Sequence, residues 1–70
     1  MEDWKELKSS NLKAMKYDDL SRALDIEFVN GTKYRYNNVP VDIVTGLESA
    51  SSKGSYFAQN IKARYTCKRL

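Results

Sequence analysis

The stretch Leu24-Asp25-Ile26-Glu27-Phe28-Val29-Asn30-Gly31-Thr32-Lys33-Tyr34-Arg35-Tyr36 decides the fold. Apolar and polar residues alternate on both sides of Asn30-Gly31, the pattern of two half-buried strands joined by a turn. Its register follows from what each choice of loop sets face to face. A two-residue Asn30-Gly31 loop pairs Phe28 with Lys33 and Ile26 with Arg35, so every apolar side chain meets a cation. A three-residue loop, Val29-Asn30-Gly31, pairs Phe28 with Thr32, Ile26 with Tyr34 and Leu24 with Tyr36. It also sets Glu27 against Lys33 and Asp25 against Arg35, leaving one apolar and one ionic face. Such a loop ends on a left-handed residue, which Gly31 supplies at little steric cost. The second register is expected.

Upstream, Leu12 to Tyr17 reads as another strand, turned through Asp19-Leu20-Ser21-Arg22. A four-residue loop there brings Tyr17 opposite Leu24, Met15 opposite Ile26 and Lys16 opposite Asp25. Downstream, Pro40 ends the third strand and suits the first turn of a helix. Ile43, Val44, Leu47 and Ala50 then share one helical arc. Gly46 costs that helix about 1 kcal/mol relative to alanine, which points to close packing or a bend there. Ser51-Ser52-Lys53-Gly54-Ser55 interrupts the pattern and offers hydroxyls for an N-cap. A second helix follows, with Phe57, Ala58, Ile61 and Tyr65 inward and Tyr56, Gln59, Asn60 and Ala63 outward. The expected fold is α+β: a three-stranded antiparallel β-meander packed on one face by two C-terminal helices. Residues 1 to 9 are expected as a tail or short helix, and residues 10 to 70 as a single domain.

Composition bounds the chemistry. The chain has 70 residues, 41% apolar and 30% charged, which is one small domain burying about 60% of its unfolded surface. The single Cys67 cannot form an internal disulfide, and with no histidine a zinc site is not expected. No apolar run approaches the roughly 20 residues of a membrane span, and the start of the chain is unlike a signal peptide. A cytoplasmic domain without cofactor, metal or membrane contact is expected.

The charge is unevenly placed. Residues 1 to 50 carry seven basic and nine acidic side chains, a net of −2, whereas residues 51 to 70 carry five basic and no acidic ones. Lys53, Lys62, Arg64, Lys68 and Arg69 therefore form an acid-free segment suited to anions such as nucleic acid. The same cations also suit the negative end of a C-terminal helix.

The series Ser10-Asn11, Tyr17-Asp18, Leu24-Asp25-Ile26-Glu27-Phe28, Asn30-Gly31, Tyr34-Arg35-Tyr36, Val39-Pro40, Ala50, Ser52, Gly54, Tyr56-Phe57, Ile61 and Tyr65 resembles the KTSC family over residues 9 to 66. Lys16, Ala58 and Thr66 depart from that pattern, where glycine, asparagine and proline are common. The family takes its name from the C-terminal extension of some lysyl-tRNA synthetases and includes free-standing bacterial and phage proteins. The resemblance implies no settled activity, and RNA as one candidate ligand.

Catalysis is not expected. Asp25 and Glu27 face cations and do not make an acid–base dyad. Cys67 has no imidazole beside it, and Lys53-Gly54-Ser55 is not a Walker sequence. Tyr34 and Tyr36 could make a base-stacking platform, but the register turns both rings toward the core. These two, with Val39 and Pro40, are therefore expected to be structural. The candidate contact zone for RNA or single-stranded nucleic acid is Lys53, Gly54, Ser55, Tyr56, Lys62, Arg64, Lys68 and Arg69. There, backbone N–H groups at a helix entry, cations and an outward Tyr56 would meet phosphates and stack a base. An ordinary capped interhelical turn is the simpler account of the Ser51–Ser55 part. The alternative is a protein-interaction accessory whose host or phage partner meets the charged sheet face (Lys16, Asp25, Glu27, Lys33, Arg35) or a strand edge.

Overall fold

The computed structural model describes residues 4–70. Strands β1 (Lys5–Glu6), β2 (Leu12–Asp18), β3 (Ala23–Phe28), β4 (Lys33–Tyr36) and β5 (Cys67–Arg69) form one antiparallel sheet in sequence order. Helix α1 (Val41–Ser49) and helix α2 (Lys53–Phe57), which runs on into a π-helical turn over Ala58–Lys62, lie between β4 and β5 in the chain. The architecture is α+β with two helices, but the sheet has five strands and not three.

The added strands lie at the two edges. β1 pairs Lys5 with Met15 and Glu6 with Ala14, and Leu7 behind it is 7% exposed. The expected tail or short helix over 1 to 9 thus contains a strand at Lys5–Glu6; its part over residues 1–3 lies outside the described residues. β5 pairs Cys67 with Tyr36, Lys68 with Arg35 and Arg69 with Tyr34, where a helical surface was expected. Both additions are two or three residues long, too short for an alternating pattern to register.

The central ribbon has the three-residue loop. Leu24 faces Tyr36, Asp25 faces Arg35, Ile26 faces Tyr34 and Glu27 faces Lys33. Gly31 has φ +92°, and the loop is closed by Phe28 N–H to Thr32 O and Gly31 N–H to Phe28 O, each 2.9 Å. β2 meets β3 with Tyr17 opposite Leu24, Lys16 opposite Asp25 and Met15 opposite Ile26. A bulge between Leu12 and Ala14 puts these two on opposite faces, Leu12 opposite Phe28 on the core side and Ala14 opposite Glu27 on the other, and both are buried.

Leu12, Met15, Leu24, Ile26, Tyr36, Val39, Val44, Leu47, Phe57 and Ile61 make the core between sheet and helices. Tyr36 is 3% exposed, and Phe57 meets it edge-on at 5.4 Å between ring centroids; Phe28 meets both Phe57 and Tyr34 in the same manner. Both tyrosines of the Tyr34-Arg35-Tyr36 run therefore belong to the packed layer and offer no stacking platform. Val39 is buried, and its carbonyl accepts a 2.6 Å hydrogen bond from the Tyr17 hydroxyl. Burial raises the Tyr17 pKa, with smaller effects of Arg22 (lowering) and of Asp19 and Asp18 (raising). Pro40 is the N-cap of α1, one position before the first turn.

Candidate nucleic-acid interface

The candidate residues fall into separate groups. Ser52 caps α2, its Oγ accepting from Ser55 N–H at 3.4 Å. The Lys53 ammonium donates to the Ala50 carbonyl at 3.0 Å, tying the end of α1 to the start of α2. Gly54 lies under Asn11: a Cβ at 54 would stand 2.7 Å from the Asn11 side-chain oxygen. Asn11 is itself held by the Ser9 hydroxyl, which donates to that oxygen at 2.9 Å.

The N-terminal loop and the interhelical turn border an open, shallow hollow of about 620 Å³ lined by Lys8, Ser9, Ser10, Asn11, Ser51, Ser52, Lys53, Gly54, Ser55 and Ala58. It carries two lysines and no carboxylate. Lys8 to Asn11 were not among the candidates read from the sequence. Ser10-Asn11 opened the family resemblance, yet nothing local shows that they fold against a glycine more than forty positions away.

Tyr56 differs from expectation. Its side chain is half-buried, and its hydroxyl donates to the Ile43 carbonyl at 3.1 Å across the two helices. A Cβ on Gly46 would meet the same ring. The expected outward projection is incorrect, because the missing side chain at 46 opens a slot that the phenol fills.

Lys62 and Arg64 are exposed at the end of the π-helical turn. Ala58, expected inward, is exposed, while Phe57 and Ile61 are buried, since the wider turn changes the angular spacing of the side chains. Lys68 and Arg69 are exposed on β5 and point to opposite faces, Lys68 with Arg35 and Arg69 with Tyr34. Arg69 and Lys33 line a hollow of about 530 Å³ beside the Asn30-Gly31 turn, again without a carboxylate side chain. The expected single basic helix surface is thus three patches: the cleft, the π-helical turn and the edge strand.

No ion pair holds Lys53, Lys62, Arg64, Lys68 or Arg69 among the described residues. The ion pairs there are Lys5–Glu48, Lys13–Glu27 and Arg35–Asp25. Among the described residues no group of three metal-ligating side chains converges, and no helix is long and apolar enough to cross a membrane.

A short antiparallel sheet backed by two helices, with cations around its margin, defines a small α+β domain. The KTSC domain model matches residues 8–65. The KTSC domain protein of Yersinia pestis superposes with a TM-score of 0.93 at 31% identity, over 100% of this chain and 99% of that one. An uncharacterized protein of Stutzerimonas stutzeri is 39% identical over 59 residues, 84% of this chain and 83% of that protein. The lysine–tRNA ligase of a Nostoc species is 36% identical over 61 residues, 87% of this chain but 11% of the ligase. The chain belongs to the KTSC domain family, and it spans about a tenth of the ligase it matches. The family is of unknown function, and no catalytic family is indicated.

Proposed function

We propose that this KTSC domain is a non-catalytic module that binds RNA or single-stranded nucleic acid through phosphate contacts. One observation carries the proposal: the last twenty residues hold five cations and no carboxylate side chain, and none of those cations is neutralised by an ion pair among the described residues. Unpaired surface cations condense readily on a phosphate backbone, releasing counterions. The cleft beside Lys8 and Lys53 and the hollow beside Lys33 and Arg69 supply contact points lined by no acidic side chain. The lysine–tRNA ligase similarity adds a context in which RNA is at hand. The proposal entails a cytoplasmic domain working without metal or cofactor. Fluorescence anisotropy with tRNA and with an unstructured single strand, at low and at moderate salt, tests it. Binding at low salt that weakens with salt and is lost in Lys53→Glu/Lys62→Glu is expected. Absence of binding at low salt, or indifference to that double charge reversal, overturns it.

A second function is favoured by one feature, the uncovered and charged outer face of the sheet ending in the exposed strand β5. A protein partner would meet that face through the Lys16, Arg35 and Lys68 row. Capture of one defined protein that Arg35→Glu releases supports this alternative.

A further inference from the structure

A different hollow, of about 610 Å³, lies against the turn between β2 and β3 and uses none of the residues of the proposed nucleic-acid contact. Lys16, Asp25 and Arg35 line it from the outer sheet face, and Asp18 and Asp19 from the turn. Asp25 is 3% exposed and accepts two parallel hydrogen bonds from Arg35, Nε to Oδ1 at 2.9 Å and Nη2 to Oδ2 at 3.1 Å. That pairing fixes the guanidinium plane. It engages one edge of the guanidinium and leaves the other, Nη1 with the second Nη2 proton, without a partner among the described residues. Such an edge is a ready fork for a second carboxylate.

The remaining charges narrow the ligand. Asp25 and Arg35 pair with each other and the Lys16 ammonium lies over the Trp4 ring, 5.0 Å from its centroid, so the free fork of Arg35 shares the hollow with the carboxylates of Asp18 and Asp19. The Leu20 N–H, then the Ser21 hydroxyl, keep the Asp18 carboxyl below its usual pKa, so it stays ionised. A purely anionic ligand would meet both acids, and a purely cationic one would leave the outward N–H edge of Arg35 without an acceptor. A molecule carrying both charges satisfies each wall. The volume is in the range of small-molecule sites, and the fully exposed Leu20 adds an apolar rim.

We propose that this hollow binds a small zwitterion of the α-amino acid or dipeptide class, its carboxylate on the free fork of Arg35 and its ammonium between Asp18 and Asp19. The test is an NMR titration of the nitrogen-labelled full chain with leucine, N-acetyl-leucine, leucine amide and glycyl-leucine. Shifts of the amides of residues 18 to 25 and of the Arg35 Nε–H are expected with the two zwitterions. Blocking either charge is expected to weaken binding about tenfold. Whichever zwitterion binds tighter names the source, free amino acid or peptide. Arg35→Lys, which keeps the charge and loses the fork, should weaken binding comparably. Asp19 makes no hydrogen bond or ion pair among the described residues, so Asp19→Asn should do the same with an unchanged melting temperature. No shift at millimolar ligand, equal response to the blocked compounds, or full binding by folded Asp19→Asn overturns the proposal.

Discussion

The ring of Tyr56 occupies the space that a side chain on Gly46 would need: a Cβ there would stand 2.7 Å from the phenol Cζ, and the hydroxyl is hydrogen-bonded to the Ile43 carbonyl at 3.1 Å. Two opposed effects meet in Gly46→Ala. Alanine favours an isolated helix by about 1 kcal/mol. Forcing a methyl into a filled contact costs about 1–3 kcal/mol, and the ring cannot withdraw without loosening a hydrogen bond of about 1 kcal/mol. Packing wins, and Gly46→Ala should lower stability by about 1–2 kcal/mol in urea denaturation. Removing the ring as well, in Gly46→Ala/Tyr56→Ala, should make the added methyl harmless. An unchanged midpoint in the single variant would show that the ring yields freely.

Asp25 is buried on the solvent side of the sheet because Arg35 lies across it. Deleting one partner of a fully buried pair costs about 3–5 kcal/mol. The Arg35 side chain is 46% exposed, so water can reach the abandoned carboxylate and the cost should be smaller. Arg35→Ala is expected to lose about 2 kcal/mol. Asp25→Ala added to it should restore part of that loss, since no unpaired charge then remains. A double variant as unstable as the sum of both singles would mean that the pair contributes through packing and not through charge.

Tyr36 governs the alkaline limit. Burial first, then the neighbouring Cys67, pushes its pKa from 10.0 up to about 12. The folded state thus keeps the proton that the unfolded chain releases. The stabilisation is complete below pH 10 and is lost as pH rises through about 12. Urea denaturation across that window should show stability falling in the native chain and falling less in Tyr36→Phe. Tyrosinate absorbance of the folded protein should report the late titration directly.

Why the ribbon could be read and the margins could not is a matter of where the information lies. The register of β3 on β4 follows from residues a few positions apart, since the two-residue Asn30-Gly31 loop sets Phe28 and Ile26 against cations. The same local logic fixed Tyr17 opposite Leu24. β5 has no such pattern: Cys67-Lys68-Arg69 pairs because Tyr65 and Thr66 bring the chain back beside β4, where Asn37 N–H meets the Thr66 carbonyl at 3.1 Å. The cleft depends likewise on distant contact. Gly54 was legible as a turn residue, but its partner Asn11 belongs to the far end of the chain. Tyr56 was misread for a related reason: helical periodicity sets a direction, whereas a glycine on another helix decides whether a ring can turn back.

Lys8 provides the sharpest test of where phosphates would lie, because it is outside the basic C-terminal segment and reaches the proposed interface only through the fold. It lines the cleft with Lys53 and makes no ion pair among the described residues. Lys53→Ala would also remove the bond to the Ala50 carbonyl, so Lys8→Ala is the cleaner substitution. If the cleft holds a phosphate of a single strand, Lys8→Ala should weaken binding of all sequences alike. It should also reduce the slope of log K against log salt by about 0.7, the contribution of one contact. The melting temperature should not move, as Lys8 is exposed. A slope unchanged by Lys8→Ala but reduced by Lys62→Ala or Arg69→Ala would confine the contact to the π-helical turn and the edge strand, and the cleft would then be only the seam where Asn11 closes over Gly54.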